Sequence, residues 1–305
     1  MAIPVVESSA LGPIRAQHPQ LLRDATVAET FSTLVEAALE HLERNAQSFK
    51  ARPEPHAVHQ MRVATRRLRA LLGAFRSVLP KTRLKRLALD MKRLQSVLSP
   101  ARDLDVFLDA VLPAIAEGNI RAVLARAARI PHRRAYARVG AIVRGKSLVK
   151  IRHGFTSLVA GLSPTREGQR PGRGLGRKIL VWRHRALVRR LGGAKQRSDQ
   201  RLHALRIRIK KLRYEVEFFR PLMPKGGVRA YHAALAESQD VLGAFNDAVN
   251  ARVLARKLTR DLGEKTRNHI DAIFAKTEER ARPLAKRKFA HQHKGLKKPP
   301  KRWFD

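Results

Sequence analysis

The strongest constraint in this sequence is a stretch that occurs twice. His59–Lys81 reads HQMRVATRRLRALLGAFRSVLPK, and His203–Lys225 reads HALRIRIKKLRYEVEFFRPLMPK, without a gap, 144 residues later. His59/His203, Arg62/Arg206, Leu68/Leu212, Arg69/Arg213, Phe75/Phe219, Arg76/Arg220, Pro80/Pro224 and Lys81/Lys225 are identical pairs. Arg66/Lys210 and Arg67/Lys211 keep the charge, while Met61/Leu205 and Val63/Ile207 keep the apolar character. The same offset carries Gln95, Val97, Leu98 and Asp103 onto Gln239, Val241, Leu242 and Asp247. A fixed offset across separated blocks implies a duplicated structural unit.

The repeat has a helical geometry. At about 100° per residue, His59, Arg62, Arg66 and Arg69 fall within a sector of about 80°. Met61, Leu68, Leu72 and Phe75 gather on the other side. The second copy sets His203, Arg206, Lys210 and Arg213 against Leu205, Leu212, Val216 and Phe219. Each helix thus has an apolar back for a core and a basic front about 15 Å long. Like charges three and four residues apart repel, so a stripe of this kind, present twice, suits neutralisation by an anion. Arginine forks match phosphate oxygens bidentately, and lysine acts as a point charge.

The balance of charge points the same way. Lys+Arg 64 against Asp+Glu 25 gives a formal charge of +39, far more than solubility requires. Nucleic acid, an anionic membrane surface and polyphosphate are all partners that such a field attracts. The absence of cysteine excludes disulfide and thiol chemistry. No apolar run approaches the length of a membrane span, and the N-terminus lacks the pattern of a signal peptide; the expectation is a cytoplasmic protein. No P-loop, dinucleotide fingerprint or HExxH motif occurs, and no catalytic residues, cofactor or metal are expected.

The spelling of the repeat resembles a known family. His59-Gln-Met-Arg62…Arg66-Arg67-Leu68-Arg69 is followed by Leu98-Ser-Pro-Ala-Arg102-Asp103-Leu104-Asp105-Val106. His203…Lys210-Lys211-Leu212-Arg213-Tyr214 is followed by Leu242-Gly243-Ala244-Phe245-Asn246-Asp247. This doubled block, over roughly 24 to 304, resembles the CHAD domain. The resemblance implies an all-α fold of two pseudo-symmetric four-helix-bundle halves around a basic central channel that binds inorganic polyphosphate. The expected role is non-enzymatic binding of long chains, associated with polyphosphate granules, and the resemblance leaves room for coupling to a separately encoded triphosphate-processing partner. Asn246 stands where the first copy has Arg102.

In chain order, residues 1–23 read as a loose lead-in, 24–162 as the first helical half, 163–176 as a linker and 177–305 as the second half with a basic tail. Helices are expected at Ala25–Phe49, about 57–79, Leu84–Leu98, Ser99–Leu112, Ile120–Ile130, Arg134–Leu162 (interrupted near Gly140–Gly145), Lys178–Leu191, Asp199–Arg220, Val228–Leu242, Asp247–Leu262 and Lys265–Phe289. Gly172, Gly174 and Gly176 read as linker glycines, and no run alternates like a strand.

The phosphate-binding candidates are His59, Arg62, Arg66, Arg67, Arg69, His203, Arg206, Lys210, Lys211 and Arg213. Lys85, Lys92, Arg93 and Arg102 extend them, and Arg177, Arg185 and Arg189 are similar, while Trp182, Leu187 and Leu191 read as core. The histidines have no neighbouring residues suited to metal ligation or to activating a nucleophile; they contact phosphate or hold the helix start. Asp103, Asp105 and Asp109 raise a Mg²⁺ site, but only Asp103 has a counterpart, Asp247, which favours orienting a stripe arginine. Sequence-independent nucleic-acid binding is the chief alternative, although the stripes lack the aromatic platforms of single-strand binders. An enzyme of polyphosphate or triphosphate metabolism is the third reading, and it lacks a visible set of metal carboxylates.

Overall fold

The computed structural model describes residues 12–191, 198–223, 227–300 and 303. Residues 1–11 of the lead-in, Pro224 and Lys225 at the end of the second repeat copy, and Phe304 of the tail lie outside them. Among the described residues the regular elements are all helical, apart from an isolated bridge between Thr26 and Pro171. They are α1 (Val27–Ala51), α2 (Pro55–Ala74), α3 (Lys81–Val106), α4 (Gly118–Arg144), α5 (Ser147–Leu162), α6 (Gly172–Leu191), α7 (Asp199–Phe219), α8 (Val228–Leu258) and α9 (Glu264–Leu296). A π-turn, Phe107–Val111, and a 3₁₀ turn, Leu112–Ala114, join α3 to α4. The repeat copies form α2 and α7, and each packs against the helix that follows it.

Three helices run through residues that read as breaks. α3 continues through Pro100, where the sequence suggests a new N-terminus. A proline inside a helix costs about 3 kcal/mol. Leu94, Leu98, Ala101 and Leu104 lie buried on either side of it on one face, and each fully buried leucine contributes about 1.5–3 kcal/mol. Packing wins, and the helix loosens only beyond Val106. α4 likewise runs through Pro131, and its real break falls after Arg144, at Gly145. α8 absorbs Gly243, whose cost of about 1 kcal/mol relative to alanine is small beside the burial of Leu235, Leu242 and Phe245.

The stretch expected to be a linker is held in place. Val27 N–H donates to the Arg170 carbonyl at 2.8 Å, Ala28 N–H to Gly168 at 3.0 Å, and Gly172 N–H to Ala25 at 2.8 Å. These bonds tie the start of α1 to the start of α6. Gly172 and Gly176, four residues apart, share one face of α6. A Cβ on Gly172 would stand 2.3 Å from Thr30 Oγ1 and 2.9 Å from the Ala25 carbonyl; one on Gly176 would stand 2.6 Å from Phe219 Cδ1. These two are points of close approach, whereas a Cβ on Gly174 would meet nothing within 4 Å. Thr26 and Glu29 form a capping box at the head of α1: Glu29 N–H donates to Thr26 Oγ1 at 3.2 Å and Thr26 N–H to Glu29 Oε2 at 2.8 Å.

The described part of the lead-in is pinned as well. Buried Asn45 donates to the Ile14 carbonyl at 3.1 Å and accepts from the Ile14 N–H at 3.1 Å. A buried amide needs such partners, and α1 finds them in the segment that precedes it.

The chain divides into two compact units that do not follow the join in the sequence. Of the described residues, one comprises 12–19, Phe31–Val106 and Ile130–Thr165; the other comprises Gln20–Thr30, Phe107–Arg129 and those from Arg166 onward. In the first unit, Phe31 packs on Phe75 with ring centroids 4.8 Å apart. There Arg152 of α5 grips Glu43 of α1 at 2.6 and 2.7 Å and also reaches Glu36, so one guanidinium answers two acids of that helix, while Glu40 lies 3.6 Å from Arg44. In the second unit, Phe107, Leu112, Ile115, Ile120 and Leu124 form a core with Ala255, Ile270 and Phe274. Trp303 is fully buried there and meets the Tyr231 ring edge-on at 5.1 Å.

Candidate functional site

The stripe of the first unit rises from α2. Pro55 occupies the first turn, where its missing N–H costs nothing. Val58, Met61, Leu68, Leu71 and Leu72 are buried, which turns His59, Arg62, Arg66 and Arg69 outward at graded exposure, from half-buried at His59 to exposed at Arg69. α3 runs alongside and holds these side chains. Arg62 donates to Asp103 Oδ1 at 2.7 Å, so Asp103 orients a stripe arginine. Arg69 donates to the Gln95 side-chain oxygen. Burial, and then the nearby charges of Arg102, Arg66, His56 and Arg62, lowers the His59 pKa to about 4. His59 is therefore a neutral imidazole inside a cluster of cations.

The second unit repeats the arrangement on α7. Leu202, Leu205, Ile209, Leu212 and Val216 are buried, and Ser198 caps the helix by accepting from the Arg201 N–H. Arg213 Nε donates to Gln239 Oε1 at 3.0 Å, the repeat counterpart of the Arg69–Gln95 contact. His203 Nδ1 lies 3.1 Å from Asn246 Oδ1; the residue that replaces Arg102 thus becomes a hydrogen-bond partner of the histidine instead of a cation beside it. Arg206 and Lys210 are half-buried, and Lys211 and His203 are exposed. Arg213 is also paired with Glu217 at 2.8 Å, and Glu217 lies 3.1 Å from His232 Nε2. No acid stands at the equivalent position of the first copy, which is Gly73.

Other candidates fall elsewhere. Arg67 is only 6% exposed. It stands seven residues from Gln60, one of the contacts of His41, and its charge acts on buried His41; it turns inward where its counterpart Lys211 turns outward. Arg102 joins the stripe beside His59. Lys85, Lys92 and Arg93 are exposed on α3, and among the described residues no hydrogen bond or ion pair ties them to α2. Arg177 donates to the Trp303 carbonyl at 3.1 Å, and Arg185 and Arg189 are exposed beside Pro299. Trp182, read as core, is 47% exposed and lies against Arg183, although Leu187 and Leu191 are buried as expected.

The three aspartates have separate surroundings. Asp103 serves Arg62. Asp105 is buried and accepts from Tyr136 at 2.9 Å and from His132 Nε2 at 3.0 Å. Burial raises its pKa against the lowering effect of these contacts. Asp109 is exposed in the π-turn. Sequence reasoning missed the Asp105–His132–Tyr136 cluster because His132 and Tyr136 have no repeated signature. It noted Gln95 and Gln239 as a repeated pair without giving them a role.

The fold and these two faces define an all-helical domain that carries an arginine-rich helix surface in each of its repeat copies. Residues 33–256 match the CHAD domain family, and the chain belongs to it. It is similar to the crystal structure of the CHAD domain from the plant Ricinus communis, with TM-score 0.81 and 27% identity over 95% of this chain and 99% of that one. It also shares its fold with PptA from Streptomyces chartreusis, with TM-score 0.70 and 15% identity over 88% of this chain and 100% of that one. No curated protein matches the sequence. No helix among the described residues is long and apolar enough to cross a membrane.

Proposed function

We propose that this protein binds long-chain inorganic polyphosphate, without turning it over, through the basic stripes of α2 and α7. The observation that carries this reading is the way the outermost arginine of each stripe is held. Arg69 and Arg213 are both positioned by a glutamine at the same repeat register, a neutral contact that fixes each guanidinium and, at Arg69, leaves its charge to attract an anion. A polymer of phosphates has no bases to read, so cationic forks at helical spacing suffice for recognition. Binding releases the counterions condensed on the polyanion, which makes affinity fall steeply with salt. In this reading the polymer binds at the stripes, granule association follows from the polymer bound, and any triphosphate chemistry belongs to a separate partner.

The test compares three variants titrated with long-chain polyphosphate at near-physiological salt. They are Arg62→Ala/Arg66→Ala/Arg69→Ala, Arg206→Ala/Lys210→Ala/Arg213→Ala, and a control lacking exposed Lys294, Lys297 and Lys298. Each loses the same formal charge. Charge-assisted contacts contribute about 1.5–3 kcal/mol each, so each stripe variant should lose at least about a hundredfold in affinity with a shallower salt dependence. The control should lose less than about tenfold, as screened charges do. Equal losses in all three would reduce the effect to net charge, and tighter binding of DNA at matched phosphate concentration would favour the nucleic-acid reading.

A further inference from the structure

We infer that Gln95 and Gln239 are positioning residues for anion binding, and that they act as neutral clamps which aim Arg69 and Arg213 without cancelling their charge. The inference rests on the proposed polyphosphate reading and adds residues to it. Glutamine is the weaker partner for a guanidinium, because a carboxylate in the same place would form a charge-assisted bond roughly twice as strong. Stability alone would therefore favour glutamate, yet both copies have glutamine. The amide oxygen occupies part of the arginine's donor fork, and the remaining donors keep a full positive charge behind them. Arg69 is exposed and has no carboxylate partner among the described residues. Its charge is available to a ligand.

The two clamps are not equal, and this makes the inference testable in both directions. Arg213 shares its charge with Glu217, at 2.8 Å, whereas Arg69 meets no acid among the described residues. The first clamp matches the description fully, and the second is already partly compensated. Gln95→Glu should weaken polyphosphate binding about tenfold and lower the salt slope by about one phosphate contact, while leaving the melting temperature unchanged or higher. Gln239→Glu should do the same to a smaller extent. Glu217→Gln removes the compensating acid and should tighten binding. Gln95→Ala releases Arg69 without adding charge, so affinity should fall modestly with the salt slope unchanged.

This split between slope and affinity separates aiming from charge cancellation, and a packing role for the glutamines would produce neither. Wild-type affinity and slope in Gln95→Glu, with the Arg62/Arg66/Arg69 variant still defective, would overturn the clamp and leave the stripe intact. A loss in Gln95→Glu that tracks a fall in melting temperature would also overturn it, because the residue would then be structural. Failure of the wild-type protein to bind polyphosphate would remove both readings together.

Discussion

Substituting Gly172 by alanine puts the junction of α1 and α6 to a quantitative test. The added Cβ would lie 2.3 Å from Thr30 Oγ1, 2.9 Å from the Ala25 carbonyl and 3.1 Å from the Thr26 carbonyl. None of these neighbours retreats cheaply. Thr30 is fully buried and stiff at χ1. The Ala25 carbonyl accepts the Gly172 N–H at 2.8 Å, so moving it away stretches the bond that ties the two helix starts. Overpacking of this kind costs about 1–3 kcal/mol. For a chain of this length the cost corresponds to a drop in melting temperature of about 1.5–5 °C. Gly174→Ala provides the control two residues away, where the new methyl meets nothing within 4 Å. There, replacing glycine restricts the unfolded chain and should stabilise by about 0.4–1 kcal/mol. The assay is thermal unfolding followed by helical circular dichroism on both variants and the parent. Opposite shifts are expected. A Gly172→Ala protein that melts within about 1 °C of the parent would show that the segment before α6 is not held as described.

Two further outcomes concern the site. The depressed His59 pKa means that the stability linked to its neutral form is present above the ordinary value of 6.5 and lost as pH falls towards about 4; a polyanion that offsets the charges of Arg62, Arg66 and Arg102 raises that pKa, so polyphosphate affinity should increase on acidification through this window, and His59→Gln should lack this part of the increase in parallel titrations. Incubation with polyphosphate, ATP or triphosphate and Mg²⁺ should release no phosphate above background, because Asp103, the acid beside the α2 stripe, is engaged by Arg62 and metal-assisted cleavage needs carboxylates that hold the ion; turnover abolished by Asp103→Asn would refute this.

The faces of α2 and α7 were legible because helical periodicity converts residue spacing directly into sidedness. Two copies at one offset also made the basic front of each visible without any partner helix. The same reasoning misplaced the interruptions at Pro100 and Gly243. Local breakers act at short range, whereas the burial of Leu98, Leu104 and Phe245 that overrides them depends on contacts the sequence does not display. Arg67 shows a related limit: its charge type matches the stripe, but its direction is decided by the neighbourhood of Gln60 and His41. The bonds from Val27, Ala28 and Gly172 run through backbone atoms, which leave no trace in side-chain identity, so a proline- and glycine-rich stretch looked like slack chain. Gln95 and Gln239 were visible as a repeated pair, yet an uncharged amide carries no chemistry that would single it out before its arginine is seen beside it.

The segment Phe107–Arg129 carries a consequence for how the protein can be taken apart. By sequence it belongs to the first copy of the duplicated region. Yet Phe107, Leu112, Ile115, Ile120 and Leu124 bury themselves with Ala255, Ile270 and Phe274, more than a hundred residues downstream. A gene cut at the apparent join near Ser163 would produce an N-terminal fragment with five bereft apolar side chains and a C-terminal fragment with an open hole. The loan runs one way: the downstream unit takes 20–30 and 107–129 from the first half, and the upstream unit takes nothing from beyond Thr165, so the boundary between folding units is not the boundary between repeats.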